Sequence, residues 1–338
     1  MKYFCFRYTV DDMRHMKLKR LLNVVLSFSL GAVIIECLAV KWLPGFFLNR
    51  YTAEEVKMST RVDKLNHMCN WLVNNGYEFY EFHDSQKFRH IIVDDKYKVM
   101  FCYVPKVACT NFIRIFLSLR DNINLSDPMH LKAGDVHILK KNLTFLDTFS
   151  IPEVDYRIKH YTKAIFVREP LERVFSAYRN KFFKTNNPIF MNSFGEKIIS
   201  IYRNKSTVNS SDTSGVKFSE FVQYLLDGKT IKHGYNEHWE LFSNLCHPCF
   251  IRYNFIGKYE SLETDANSFL KQASLEEKIK FPKRETFYKH KSSADLLSIV
   301  YKNIQPEMFE NLTKIFEKDY LLFDYEIPSR EQIVKKRV

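Results

Sequence analysis

The sequence predicts an α/β protein with a central, mostly parallel sheet flanked by helices, held to a membrane by one N-terminal helix. Three observations carry this. Short β-rich runs at 97–104 and 161–167 each pass through a tight loop into an amphipathic helical pattern, and 251–257 followed by 262–270 repeats the plan. Strands that alternate with helices pair in parallel. Residues 21–40 form a mostly apolar run with a single charge, Glu36, long enough at 1.5 Å per residue to cross a hydrocarbon core. The whole chain of 338 residues is 46% hydrophobic, sufficient for one sizeable core.

Ahead of the apolar run, Lys2, Arg7, Arg14, Lys17, Lys19 and Arg20 outnumber Asp11 and Asp12. The positive-inside bias therefore keeps residues 1–20 cytoplasmic and sends the rest of the chain to the lumen. Val40-Lys41-Trp42-Leu43-Pro44 offers no small-residue cleavage site, so 21–40 reads as a transmembrane signal anchor and not as a cleaved peptide. Residues 41–60 read as a stem and 61–330 as the lumenal domain.

Within that domain, Val62, Leu65, Cys69 and Leu72 keep the helical period as far as Gly76. The strand at 97–104 ends at Pro105, and Thr110 is placed to cap a helix over 111–119. After the strand at 161–167, Pro170 suits a first helical turn, and Leu171, Val174, Phe175, Tyr178 and Phe182 line one face. Residues 185–216 turn polar and read as an exposed insertion. Phe218 to Leu226 resume a helix closed by Gly228, and a last helix starts near Pro306.

Asn-x-Ser/Thr sequons fall at Asn124, Asn142, Asn204, Asn209 and Asn311, all beyond the span, as lumenal glycosylation requires. Most of the net charge of +12 also lies beyond residue 40 and would attract a polyanion. A secretory compartment excludes nucleic acid, which leaves an acidic glycan or a phosphorylated nucleotide. Of seven cysteines, Cys69, Cys102, Cys109, Cys246 and Cys249 face the oxidising lumen, an odd number that leaves at least one free or paired between chains. Cys246-His247-Pro248-Cys249 lacks a second Cys/His pair at zinc spacing, so a local Cys246–Cys249 disulfide is expected.

The two strand-to-helix junctions carry the chemistry. Pro105-Lys106-Val107-Ala108-Cys109-Thr110-Asn111 leads straight into a helix. Such a loop offers unpaired N–H groups and the positive end of the helix dipole to a phosphate; Lys106 adds a charge and Thr110 a hydroxyl. It is not a Walker A loop, because no glycine lies between Gly76 and Gly134. At the second junction Arg168-Glu169-Pro170 ends the strand and Ser176 follows two turns later. Arginine's planar fork and a serine hydroxyl suit a terminal phosphate. Arg173 and Arg179 read as solvated helix charges.

Two anion grips on neighbouring strand ends suggest a donor phosphorylated at two positions. CYVPKVACTN resembles the 5′-phosphosulfate loop, and FVREPLERVFSAYRNKF the 3′-phosphate motif, of Golgi carbohydrate sulfotransferases of the HNK-1 and chondroitin 4-O-sulfotransferase family. LCHPCFIRYNFIGKYESLETDAN is similar to the segment that follows the paired cysteines in that family. The stretch around 204–215 looks unlike it.

The resemblance implies a sulfotransferase fold, itself like a P-loop nucleoside kinase, and a type II anchor in the Golgi membrane. It implies 3′-phosphoadenosine 5′-phosphosulfate (PAPS) as donor, with Lys106 and its neighbours on the 5′-phosphosulfate and Arg168 and Ser176 on the 3′-phosphate. It also implies the Cys246–Cys249 disulfide. The expected acceptor is a chondroitin-like glycosaminoglycan, sulfated at the 4-hydroxyl of N-acetylgalactosamine. Dermatan, HNK-1-type glucuronic acid or terminal N-acetylgalactosamine are alternatives, and a lumenal glycan kinase or an inactive glycan-binding relative are rivals of other classes.

Sulfuryl transfer to an alcohol needs charge stabilisation on the leaving phosphate and a proton acceptor for the attacking hydroxyl. Lys106 supplies the first, and no metal is expected. Histidine suits the second at neutral pH. His137 resembles the family's catalytic position; His238, His130, Glu169 and His290 are the other candidates. Lys283, Arg284, Lys289, His290 and Lys291 form a late basic cluster that either meets acidic groups of donor or acceptor or is a solvated face.

Overall fold

The computed structural model describes residues 52–77, 85–120, 127–183, 187–203, 215–282 and 293–335. The expected membrane span, the sequons at Asn124, Asn204 and Asn209, His290 and the 283–291 basic cluster lie outside them. Among the described residues no helix is long and apolar enough to cross a membrane. The chain divides into two units, Met1–Val56 and Lys57–Val338; sheet, core and candidate site belong to the second.

Five strands form one sheet in the order β3-β1-β2-β4-β5: β1 is Ile91–Asp94, β2 Val99–Cys102, β3 Thr144–Phe145, β4 Thr162–Val167 and β5 Phe255–Lys258. β2, β4 and β5 run parallel, as the strand-to-helix plan predicts. β1 is antiparallel to both β2 and β3, so the sheet is mixed. Four residues separate β1 from β2, and Asp94 Oδ1 accepts the Tyr97 N–H at 3.0 Å. A link that short closes a hairpin and is too short for a parallel crossover. At β5, a Cβ on Gly257 would stand 2.1 Å from the Phe166 ring, so only glycine lets that ring lie against the strand.

The principal helices are α1 (Ala53–Asn74), α2 (Cys109–Ser118), α3 (Ala133–Leu139), α4 (Ile151–His160), α5 (Pro170–Tyr178), α6 (Phe218–Leu226), α7 (Leu262–Gln272) and α8 (Pro306–Leu322). α1 buries Met58, Leu65, Cys69 and Leu72 and ends where Gly76 turns left-handed at φ 80° and the Tyr77 N–H reaches back to Leu72 O. One apolar cluster packs the sheet against α2 and α7 through Phe101, Phe112, Phe166 and Phe269. A second gathers α5, α6 and α8 around Trp239.

Several expectations change. α2 starts two residues before the predicted 111, because Ala108, left-handed at φ 54°, takes the N-cap place and makes no side-chain cap bond; Thr110 lies inside the helix. Gly228 opens a further short helix, Gly228–His233, with Asp227 as its cap. The polar stretch at 187–203 is no open insertion: it folds into helical turns, Ile198 is buried, and Phe190 and Phe194 pack on Trp239.

The cysteine expectation is overturned. Cys246 pairs with Cys102 and Cys249 with Cys69; Cys109 is the free thiol. His247, left-handed at φ 44°, separates helix Phe242–Cys246 from helix Pro248–Ile251. One sulfur thereby meets the end of β2 and the other meets α1. The loops closed are 144 and 180 residues apart in sequence, and in the chain-entropy account each bridge contributes about 5 kcal/mol.

Candidate active site

The parallel strands deliver both predicted loops to one edge. Cys102 lies opposite Ile165, so the chain leaving β2 and the chain leaving β4 emerge side by side at the carboxyl ends, where open α/β sheets bind ligands. In the first loop Lys106 and Ala108 both have positive φ, 74° and 54°. This conformation, unfavourable for non-glycine residues, curls the main chain around the start of α2. Pro105 and Val107 are buried, whereas Lys106, Ala108, Cys109, Thr110 and Asn111 are half-buried. Burial pushes the Cys109 thiol up from its ordinary range, and the neighbouring Lys106 charge opposes that shift. Asn111 Oδ1 accepts from Arg114 at 2.9 Å.

Arg168, 4% exposed, joins the two loops. Its Nη1 donates to Lys106 O at 3.1 Å, Nη2 pairs with Glu172, and the guanidinium covers the Tyr259 ring at 4.0 Å. Its Nε is buried with no partner among the described residues. An orphaned buried donor is costly unless a ligand satisfies it, so a phosphate oxygen fits here. Ser176 is half-buried on α5. Glu169 does a different job: its carboxylate caps α5 by accepting the Leu171 and Glu172 N–H groups and it also accepts from Tyr320. Pro170 is the buried first residue of that helix.

Three segments distant in sequence lie within electrostatic reach of the Lys106 loop or of one another. His137 is exposed on α3. Lys181 lies in a π-helical turn, Arg179–Phe183, that continues α5; its Nζ sits 4.1 Å from the centre of the Phe190 ring. His238 meets the same Phe190 ring edge-on at 5.2 Å, and its Nδ1 donates to Asn236 Oδ1 at 2.7 Å. Because that oxygen can only accept, Nε2 carries the lone pair. The Glu237 carboxylate lies 3.9 Å from His238 Nδ1 and 3.5 Å from the buried His90. Partial desolvation at the site and the neighbouring charges of Lys140 and Lys181 hold the His137 pKa below its ordinary value. Burial first, then Lys181, Lys106 and Arg173, push His238 down to about 2. Burial lowers Lys106 to about 8.

Residues 89–326 match the sulfotransferase family. The chain belongs to that family. It is 41% identical over 244 residues to carbohydrate sulfotransferase 11 of Rattus norvegicus, covering 71% of this chain and 68% of the relative. It is 36% identical over 263 residues to carbohydrate sulfotransferase 12 of Xenopus laevis (72% and 62%). It is 36% identical over 241 residues to carbohydrate sulfotransferase 14 of Mus musculus (71% and 61%). No solved structure matches.

The sulfotransferase thus brings Lys106, Arg168, His137 and His238 into one electrostatic neighbourhood. His130, at the surface next to α3, is exposed. Among the described residues no group of three or more His, Cys, Asp or Glu side chains gathers as metal ligands would. Sequence reasoning missed Arg173, which is buried and not solvated, and also Lys181, Glu237 and His90. For Arg173 a signal was available: it stands one turn before Ala177 and so borders the broad apolar face of α5, a helix buried nearly all round.

Proposed function

We propose that this enzyme transfers the sulfuryl group of PAPS to a glycan hydroxyl, the 4-hydroxyl of N-acetylgalactosamine in chondroitin, in the lumen of the Golgi apparatus. The observation that carries the reading is the pair of anion grips at adjoining strand ends: the Lys106 loop, and Arg168 with its unpartnered Nε. Their separation into two loops suits a nucleotide with phosphate at both ends. The motif resemblance supports chondroitin as the acceptor, and the basic excess of the chain suits a polyanion. Exposed Asn142 and Asn311 suit glycosylation.

In this mechanism Lys106 and the main-chain N–H groups at the start of α2 take up charge on the departing phosphate. Arg168, with Ser176, holds the 3′-phosphate. His137, neutral at neutral pH, accepts the proton of the attacking hydroxyl at an imidazole nitrogen. A second reading gives that proton to His238, whose Nε2 lone pair is fixed by the Nδ1 hydrogen bond to Asn236. Its pKa argues against it in the free enzyme, although bound anions would offset the cations that depress it.

The test is transfer of labelled sulfuryl groups from PAPS by the full-length protein to desulfated chondroitin, dermatan, heparosan and glucuronyl-lactosamine acceptors, followed by disaccharide analysis. Label at the 4-position of N-acetylgalactosamine in chondroitin is expected. Label confined to another acceptor overturns the chondroitin assignment, and label from ATP but not PAPS overturns sulfuryl transfer.

A further inference from the structure

Arg173 begins the second turn of α5 and is 1% exposed. Its Nε donates to Pro105 O at 3.1 Å, Nη1 to Glu240 O at 2.6 Å and Nη2 to Glu237 O at 3.1 Å, and its guanidinium lies 4.7 Å from the Phe242 ring centre. Beneath it, buried Asp319 accepts the Phe242 and Ser243 N–H groups at 2.7 and 3.1 Å. Pro105 immediately precedes Lys106, and Glu237 immediately precedes His238. The three acceptors are main-chain carbonyls, so what the side chain fixes is the path of two chain segments that nothing in the sequence places near each other.

We infer that Arg173 is a positioning residue that sets the spacing between the Lys106 loop and the Glu237-His238 segment, without itself touching donor or acceptor. A planar guanidinium can send three N–H groups in diverging directions, whereas an ammonium on one stem cannot span the same three carbonyls. Loss of the clamp leaves the anion-binding groups of the loop intact but frees the loop to drift relative to the Glu237-His238 segment. A displacement near 1 Å between reacting groups costs about a hundredfold in rate. The kinetic part of this inference rests on the sulfuryl-transfer reading; the structural part does not.

The experiment compares full-length wild type with Arg173→Lys and Arg173→Ala. The expected result is a fall in kcat of about a hundredfold, with affinity for the product nucleotide, 3′,5′-bisphosphoadenosine, held by calorimetry, and partial rescue of Arg173→Ala by added guanidinium ion. Hydrogen exchange supplies the readout independent of activity: amides of 106–108 and of 237–242 should gain exchange together in Arg173→Lys while the melting temperature changes little. Wild-type kcat in Arg173→Lys, or kcat and nucleotide affinity falling in parallel, overturns the inference, as does faster exchange in one segment alone. Should neither variant fold, the wild-type enzyme decides: the two segments must open as one unit, and independent opening overturns the clamp. A wild type inactive with PAPS sinks the proposed function and leaves the exchange result to judge the clamp.

Discussion

The two parts of the candidate site are built differently. The side proposed to hold the 5′-phosphosulfate is one continuous segment, 105–111, whose shape comes from two left-handed residues and whose carbonyls are held by buried Arg168 and Arg173. The opposite side is assembled from α3, the π-helical turn after α5 and the 236–240 segment, with His137 exposed. A phosphate-bearing donor shared by a whole class of reactions can be met by a rigid local motif. An acceptor hydroxyl must be met by side chains whose positions depend on how distant segments pack, and that side is free to vary with the acceptor.

The largest effect should come from cutting the covalent link between the two sides. Cys102 ends the strand that delivers the donor loop, and Cys246 closes the helix that follows the His238 segment. Replacing both with alanine should cost about 5 kcal/mol, read as a lower denaturant midpoint, and should also lower kcat at temperatures where the variant is folded. The Cys69 and Cys249 double replacement should cost a similar amount and leave kcat of the folded fraction near wild type. A wild-type kcat in the folded fraction of both variants would show that the bridges serve stability alone, and equal loss in both would remove any special role of the Cys102–Cys246 bridge.

Next comes the proton acceptor. His137→Ala should lower kcat by about 10²–10⁴-fold while binding of the product nucleotide is retained. His238→Ala should have the smaller effect; the reverse order transfers the role to His238. Lys106→Ala tests the donor side and should cost about 10²–10³-fold in kcat, measured by transfer of labelled sulfuryl groups at saturating donor. Activity within a few-fold of wild type would remove Lys106 from the mechanism.

This asymmetry also explains what could be read in advance. The Lys106 loop, Arg168 and the β2-α2 and β4-α5 units were legible because each is local: a β-rich run, a break and a 3.6-residue pattern lie within about 25 residues. The antiparallel β1 was not, since its four residues carry no signal stronger than the hairpin that forces its direction. Nor were the disulfides: proximity of Cys246 and Cys249 in sequence says nothing about the left-handed His247 that points their sulfurs at different partners. Arg173 was misjudged because a charged residue on a helix is usually solvated; its burial follows from carbonyls contributed by residues 64 to 68 positions away. Glu237 and His90 become a pair only in three dimensions.

The smallest predicted effect separates the two sides by pH. Burial, with Lys181, Arg168 and Arg173 nearby, lowers Lys106 to about 8, so about nine-tenths of its positive charge is present at neutral pH and the charge is lost as pH rises through that value. The kcat/KM for PAPS reports the free enzyme and should carry a basic limb near pH 8, about tenfold below its plateau one unit higher. Lys106→Arg keeps its charge throughout this range, so the limb should vanish from a profile that is lower overall. His137, held below the ordinary histidine value, titrates on the acid side, where loss of its neutral form lowers the rate, and that limb should stay put in Lys106→Arg. A basic limb that persists in Lys106→Arg would assign it to a different group and would take the depressed lysine out of the account of donor recognition.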